Sequence, residues 1–205
     1  MTISPGTTLA DYLVPVRRPS IALRLVRDIL LIVAFSALTA LCSLFSFHML
    51  WLTPVPITLQ TLAVLLTGAA LGSKRGALAM LLYLAEGALD LPVFAGGLGG
   101  FPLLLGYTAG YLWAFPIAAF VTGLLCERGL DRRYLTSALA MLPGSLIIYA
   151  LGVPWLAVVL HLNLAQAALA GMVPFLIGDL LKLLIAAALL PSAWGLVRWG
   201  RKGQG

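Results

Sequence analysis

Charge is what this chain lacks. Of its 205 residues only 10% are Asp, Glu, Lys or Arg, and seven in all are acidic. Soluble domains of ordinary composition carry about a quarter charged residues, so a water-facing globular fold is excluded. Histidine and cysteine are as scarce, at two each. His48 and His161 belong to different outer loops and do not have the spacing of metal ligands, so they read as interfacial residues. Cys42 should lie toward the outer end of the first span and Cys126 at the inner end of the fourth, too far apart for a disulfide, so both read as free thiols. No Gly-x-x-x-x-Gly-Lys-Ser/Thr loop occurs. Gly68, Gly72, Ser73 and Lys74 approximate one but lack its final order and a preceding strand, so the chain is not expected to hydrolyse ATP itself. The first 28 residues hold Arg17, Arg18, Arg24 and Arg27 without the short apolar core and cleavage site of a secretory signal.

What the chain has is apolar length. Hydrophobic residues make up 61% of it and the mean hydropathy is +1.05. A spanning helix takes about 20 apolar residues, fewer when protein surrounds it. Six spans are predicted, from about Arg27 to Phe47, Ile57 to Leu71, Ala77 to Leu89, Leu104 to Leu125, Leu135 to Leu151 and Phe175 to Val197. A kink is expected at Pro143-Gly144 and a bend at Pro191. The net charge of +6 might suggest nucleic acid in a soluble protein. Here its carriers fall in alternate loops: Lys74 and Arg75, then Arg128, Arg132 and Arg133, then Arg198, Arg201 and Lys202. The opposite loops, Phe47 to Pro56, Asp90 to Leu103 and Gly152 to Val173, hold no Lys or Arg. That asymmetry places both termini in the cytoplasm and removes nucleic acid as a partner. The organisation read from it is a cytoplasmic N-terminal segment over 1–26, a six-helix transmembrane substrate-binding domain over 27–198 and a cytoplasmic tail over 199–205.

The basic-poor loops carry proline, glycine and aromatic residues instead. Irregular backbone at membrane depth is tolerated only inside protein or along a cavity, so these loops are expected to wall an outward-facing pocket. In Val55-Pro56-Ile57-Thr58-Leu59-Gln60-Thr61, Thr58 reads as a helix cap and Gln60 as a ligand contact. In Leu91 to Pro102 the glycines, Gly97 and Gly100 among them, either bring backbone amides close to a ligand or only allow tight turns. Glu86 and Asp90 sit four apart near the outer end of the third span, with Asp90 read as solvent-facing.

Asp179 and Lys182 stand three residues apart in a run that is otherwise apolar from Ala167 to Leu190. That spacing puts both on one helix face, and ionisable groups at membrane depth mark functional sites unless they form a structural ion pair. A hydrolase reading would set Asp179 against Glu86 as a dyad, but Lys182 one turn away favours an ionised Asp179 and opposes the shared proton. An ion channel is disfavoured because no span repeats acidic positions.

Four motifs in order, Val55-Pro56-Ile57-Thr58-Leu59-Gln60, Leu91-Pro92-Val93-Phe94-Ala95-Gly96-Gly97, Gly106-Tyr107-Thr108-Ala109-Gly110-Tyr111 and Pro174-Phe175-Leu176-Ile177-Gly178-Asp179-Leu180-Leu181-Lys182, resemble BioY, the biotin-specific S component of energy-coupling factor transporters. The resemblance runs from the first span to the sixth. It departs at Tyr107, Ala109 and Ile177, where the family usually has other residues. It implies an all-α membrane protein with the six-helix S-component fold, a biotin pocket near the outer surface, and contacts to biotin from Asp179 and Lys182. Phe94, Phe101, Tyr111 and Trp155 are candidates for the apolar walls. Implied partners are a transmembrane coupling component and two ATPase subunits beside the membrane lipids of a bacterial inner membrane; no cofactor and no enzymatic activity are implied. Family members dock through small residues of the first helix, for which Ser36, Ala40 and Ser43 are the candidates here, against internal packing of the same stripe. An S component for thiamine or riboflavin is the alternative, with the intramembrane hydrolase the rival from another class.

Overall fold

The structure is a computed structural model and describes residues 7–15, 20–47 and 53–202, with side chains followed to residue 197. Helices dominate because hydrocarbon offers backbone groups no partner, so each segment must satisfy its own. Eight α-helices form among the described residues: α1 (Leu9–Leu13), α2 (Ile21–Leu44), α3 (Gln60–Leu71), α4 (Ser73–Ala88), α5 (Ala109–Glu127), α6 (Tyr134–Val159), α7 (Leu164–Gly171) and α8 (Leu176–Lys202). Four apolar stretches have the length to cross a bilayer: α2, α5, α6 and the segment Leu164–Val197 that includes α8. The protein is a multi-pass helical membrane protein.

α5 is the centre, packed against α3, α4 and α6, with α8 closing on α3 and α6, and α2 on α3 and α4. The short α3 buries nine of its twelve residues, so it borrows its apolar surroundings from the other helices rather than from lipid. The α3–α4 corner turns on Gly72 at φ +86°, where a side chain would meet the Glu127 carboxylate and Thr8. Glu127 instead accepts from the Ser73 amide and hydroxyl at 2.7 and 2.9 Å, which places a carboxylate at the α4 N-terminus where the helix dipole favours it. The Gly68 to Lys74 stretch is therefore a packing corner.

Several expected boundaries move. Ile57 and Thr58 open no helix but form strand β2, paired antiparallel with β1 (Ser46–Phe47). α6 runs unbroken through Pro143 and Pro154 to Val159, so most of the loop expected after Gly152 is helical, α7 included. Neighbouring helices and side chains can re-satisfy a carbonyl that proline frees, so the helix persists through both prolines. α2 starts at Ile21, capped by Ser20, rather than at Arg27, and α8 reaches Lys202. The N-terminal stretch is more than a tail: α1 buries Leu9 and Ala10, sets Tyr12 edge-on to Trp194 with ring centres 5.1 Å apart, and holds Asp11 2.9 Å from Arg75.

Ser36, Ala40 and Ser43 require a correction. Ser36 and Ser43 are fully buried, Ser36 donating to Glu86 at 2.6 Å and Ser43 to the Val93 carbonyl at 2.7 Å, while Ala40 packs half-buried on the core. The stripe faces its own bundle because Glu86 and the loop carbonyls need these hydroxyls, and it is not a free docking face. Cys42 and Cys126 are free thiols. His48 lies outside the described residues, and His161 is exposed.

Candidate functional site

One end of the bundle encloses a cavity of about 940 Å³, counted to its open mouth. Its mouth is built from the Val55-Pro56 turn and the loops around Ala95 and Tyr107. Phe94, Tyr111, Leu112, Phe115, Ile148 and Phe175 supply apolar wall. The polar part is small. α8 turns Asp179 and Lys182 inward on the face that also carries Leu183 and Ala186, with Phe175 just before it, while Ile177, Leu180 and Leu181 point outward. Lys182 Nζ lies 2.8 Å from Asp179 Oδ1 and donates to Thr61 Oγ1 at 3.2 Å. Thr61 donates to Asp179 Oδ1 at 3.2 Å, and Tyr149 donates its phenol to Asp179 Oδ2. The side chains of Lys182 and Asp179 keep 10% and 13% of their accessibility, so each has traded bulk water for these few partners. Desolvation of that kind is tolerable only while both charges remain paired.

Asp179, Lys182, Gln60, Thr58, Phe94 and Tyr111 all line this cavity. Gln60 is already engaged: its side-chain nitrogen donates to the Tyr83 hydroxyl, its oxygen accepts from Thr58 at 2.9 Å, and the Tyr83 hydroxyl in turn donates to the Val93 carbonyl at 2.8 Å. Thr58 also accepts the Gln60 amide at 3.2 Å, steadying the first turn of α3. Tyr111 donates to the Gly171 carbonyl at 2.9 Å, which leaves its ring toward the cavity.

Other candidates lie off the cavity wall. Trp155 donates to the Gly106 carbonyl at 2.9 Å and packs over Gly110, bracing the mouth from outside. Phe101 is exposed on the surface. Gly97 and Gly100 spend their amides on the Phe94 and Gly87 carbonyls, at 2.9 and 2.7 Å, so they shape the loop rather than offer donors to a ligand. Glu86 bonds Ser36 and is not part of the wall, so no carboxylate dyad with Asp179 forms. Thr61 and Tyr149 were not anticipated. The signal available for both was a hydroxyl inside an otherwise apolar helix, which needs an internal partner as a charge does.

A membrane-embedded bundle with a deep, mostly apolar cavity around a single ion pair is a small-molecule-binding membrane protein by its architecture. A family model described as the BioY family matches residues 13–199. The probable biotin transporter BioY of Pyrococcus horikoshii is 44% identical over 76% of this chain and 89% of its own. The biotin transporter BioY of Rhizobium etli is 38% identical over 80% and 90%, and that of Thermotoga maritima 47% identical over 66% and 79%. A crystal structure of the S-component for biotin from an ECF-type ABC transporter superposes with a TM-score of 0.75 at 24% identity, covering 82% of this chain and 91% of that one, a likeness of fold. The chain belongs to the BioY family, whose named members here are transporters and not enzymes.

Proposed function

We propose that the chain is the biotin-binding S component of an energy-coupling factor transporter. The observation that carries this reading is the Asp179–Lys182 pair, bridged by Thr61 and Tyr149, at the polar end of an apolar cavity. Biotin is a neutral cyclic urea on an apolar bicycle with an anionic chain. A carboxylate accepts the ureido N–H groups and an ammonium donates to its oxygen, while aromatic walls take the bicycle. The Asp179 charge disfavours a second carboxylate beside it, so the ureido ring occupies this end and the valerate reaches toward the mouth. The ureido group and both side chains stay paired in that pose.

Six spans with cytoplasmic termini complete the reading: α2, α3, α4, α5, α6 and α8. In support, Lys74, Arg75, Arg128, Arg132 and Arg133 lie at the end of the bundle away from the cavity, as the distribution of basic residues in inner loops requires. The domain limits are then those of one substrate-binding unit in a bacterial inner membrane. With no nucleotide-binding loop in the sequence, uphill uptake calls for a transmembrane coupling component and two ATPase subunits. Labelled biotin presented to the purified protein tests the proposal. Nanomolar retention that excess thiamine or riboflavin leaves untouched is expected; tight binding of either vitamin with no retention of biotin would overturn it.

A further inference from the structure

We infer that the turn between α5 and α6 is a binding site for the phosphate of an anionic phospholipid. Arg128, Gly129, Leu130, Arg132, Arg133 and Thr136 line a second concavity, about 610 Å³ with its open side, at the opposite end of the bundle from the ion-paired cavity. Three arginines in six residues crowd it, and guanidinium forks suit phosphate oxygens. Of the acids nearest in sequence, Glu127 is bound to Ser73, and Asp131, almost fully buried, accepts from the Trp194 indole and lies within electrostatic reach of Arg132. Neither lines the concavity. Arg132 is held in place by its cation–π contact, 5.5 Å from the centre of the Trp194 ring. α6 begins here without a side-chain cap.

A free phosphate would be satisfied by those features alone. What points to a lipid is the surface that continues from them. Leu135, Leu139, Leu142 and Leu146 recur at helical spacing along α6, all exposed, and lead from the arginines into the bilayer span. Tyr134, also exposed, stands at the junction, the level at which aromatic residues meet headgroups. A headgroup phosphate seated among the arginines would lay its acyl chains along this stripe. Basic pockets at the ends of transmembrane helices hold anionic headgroups in the same manner.

The full-length protein, purified in a neutral detergent, would be offered dioleoyl phosphatidylglycerol and dioleoyl phosphatidylcholine in competition, and retained lipid read by native mass spectrometry. Preferential retention of one phosphatidylglycerol is expected, and Arg128→Gln with Arg133→Gln should weaken it by about thirtyfold, with Lys74→Gln as an unaffected control. If the double variant does not survive purification, each single variant decides instead, with a loss of about fivefold expected. Equal retention of both lipids, or unchanged retention by the variants, would overturn the inference. Displacement of the lipid by millimolar inorganic phosphate would reassign the site to a free anion. Loss of co-purification with a coupling protein while lipid retention stays intact would reassign it to a protein contact.

Discussion

The two ends of the bundle both hold acids against bases, and they are wired differently. At the cavity end Asp179 meets one cation, Lys182, and its remaining partners are the hydroxyls of Thr61 and Tyr149. At the other end Asp11 and Asp28 share two arginines, each of which touches both: Arg75 at 2.9 and 3.1 Å, Arg27 at 3.2 and 2.8 Å. In the shared network the loss of any one member leaves every opposite charge with a partner. In the cavity the loss of either member strands a charge in a place with little water. Redundancy suits a fastening, which must survive perturbation. A single pair suits a binding site, where groups must be free to exchange their mutual contacts for those of a ligand.

The sharpest break in this contrast is Asp179→Asn, which leaves Lys182 buried and uncompensated. It should weaken biotin binding by about 2 to 5 kcal/mol, and Lys182→Ala should act similarly. Equilibrium binding on purified variants checks this; parent-like affinity in both would make the pair structural. A smaller loss, about 1.5 kcal/mol or roughly tenfold, is expected of Tyr149→Phe, the scale of one hydrogen bond to a charged acceptor. Here the ion pair survives but its carboxylate loses a partner that sets its orientation. Tyr149→Phe with unchanged biotin affinity would confine the site to Asp179 and Lys182.

Much of this was legible before the structure. An acid and a base inside an apolar run are costly, so Asp179 and Lys182 announced the site and their helix together. Hydroxyls are cheaper and more common, so Thr61 and Tyr149 gave no comparable signal although they complete the same network. Gly97 and Gly100 misled because glycine permits both a close approach and a tight turn, and the backbone bonding that separates the two is invisible in sequence. Ser36 and Ser43 misled in the same way. Small side chains serve docking and internal packing alike, and only the position of Glu86 and the Val93 carbonyl turns the stripe inward. The outer loop was expected from Gly152, but α6 continues through Pro154 to Val159, because neighbouring helices can re-satisfy a carbonyl that proline frees.

The smallest effect should come from the redundant end. Burial alone would raise the Asp11 carboxyl, but hydrogen bonds from Arg75 and Thr8 outweigh it and hold the group below the ordinary carboxylate range. A carboxyl with a depressed folded value contributes stability above its unfolded value and loses that contribution as pH falls through the folded one. Asp11→Asn removes the charge at every pH. The parent should therefore exceed the variant in thermal stability near neutrality by less than about 1 kcal/mol, because Arg27 and Arg75 keep Asp28 and because partly exposed pairs are weak. The difference should narrow as the solution is acidified below the ordinary carboxylate range, once Asp11 of the parent is protonated too. Melting of both proteins in detergent across that range is the measurement. A loss at neutral pH as large as that of Asp179→Asn on binding would mean that the α1 contacts are not shared as the distances indicate, and the two ends of the bundle would no longer differ in kind.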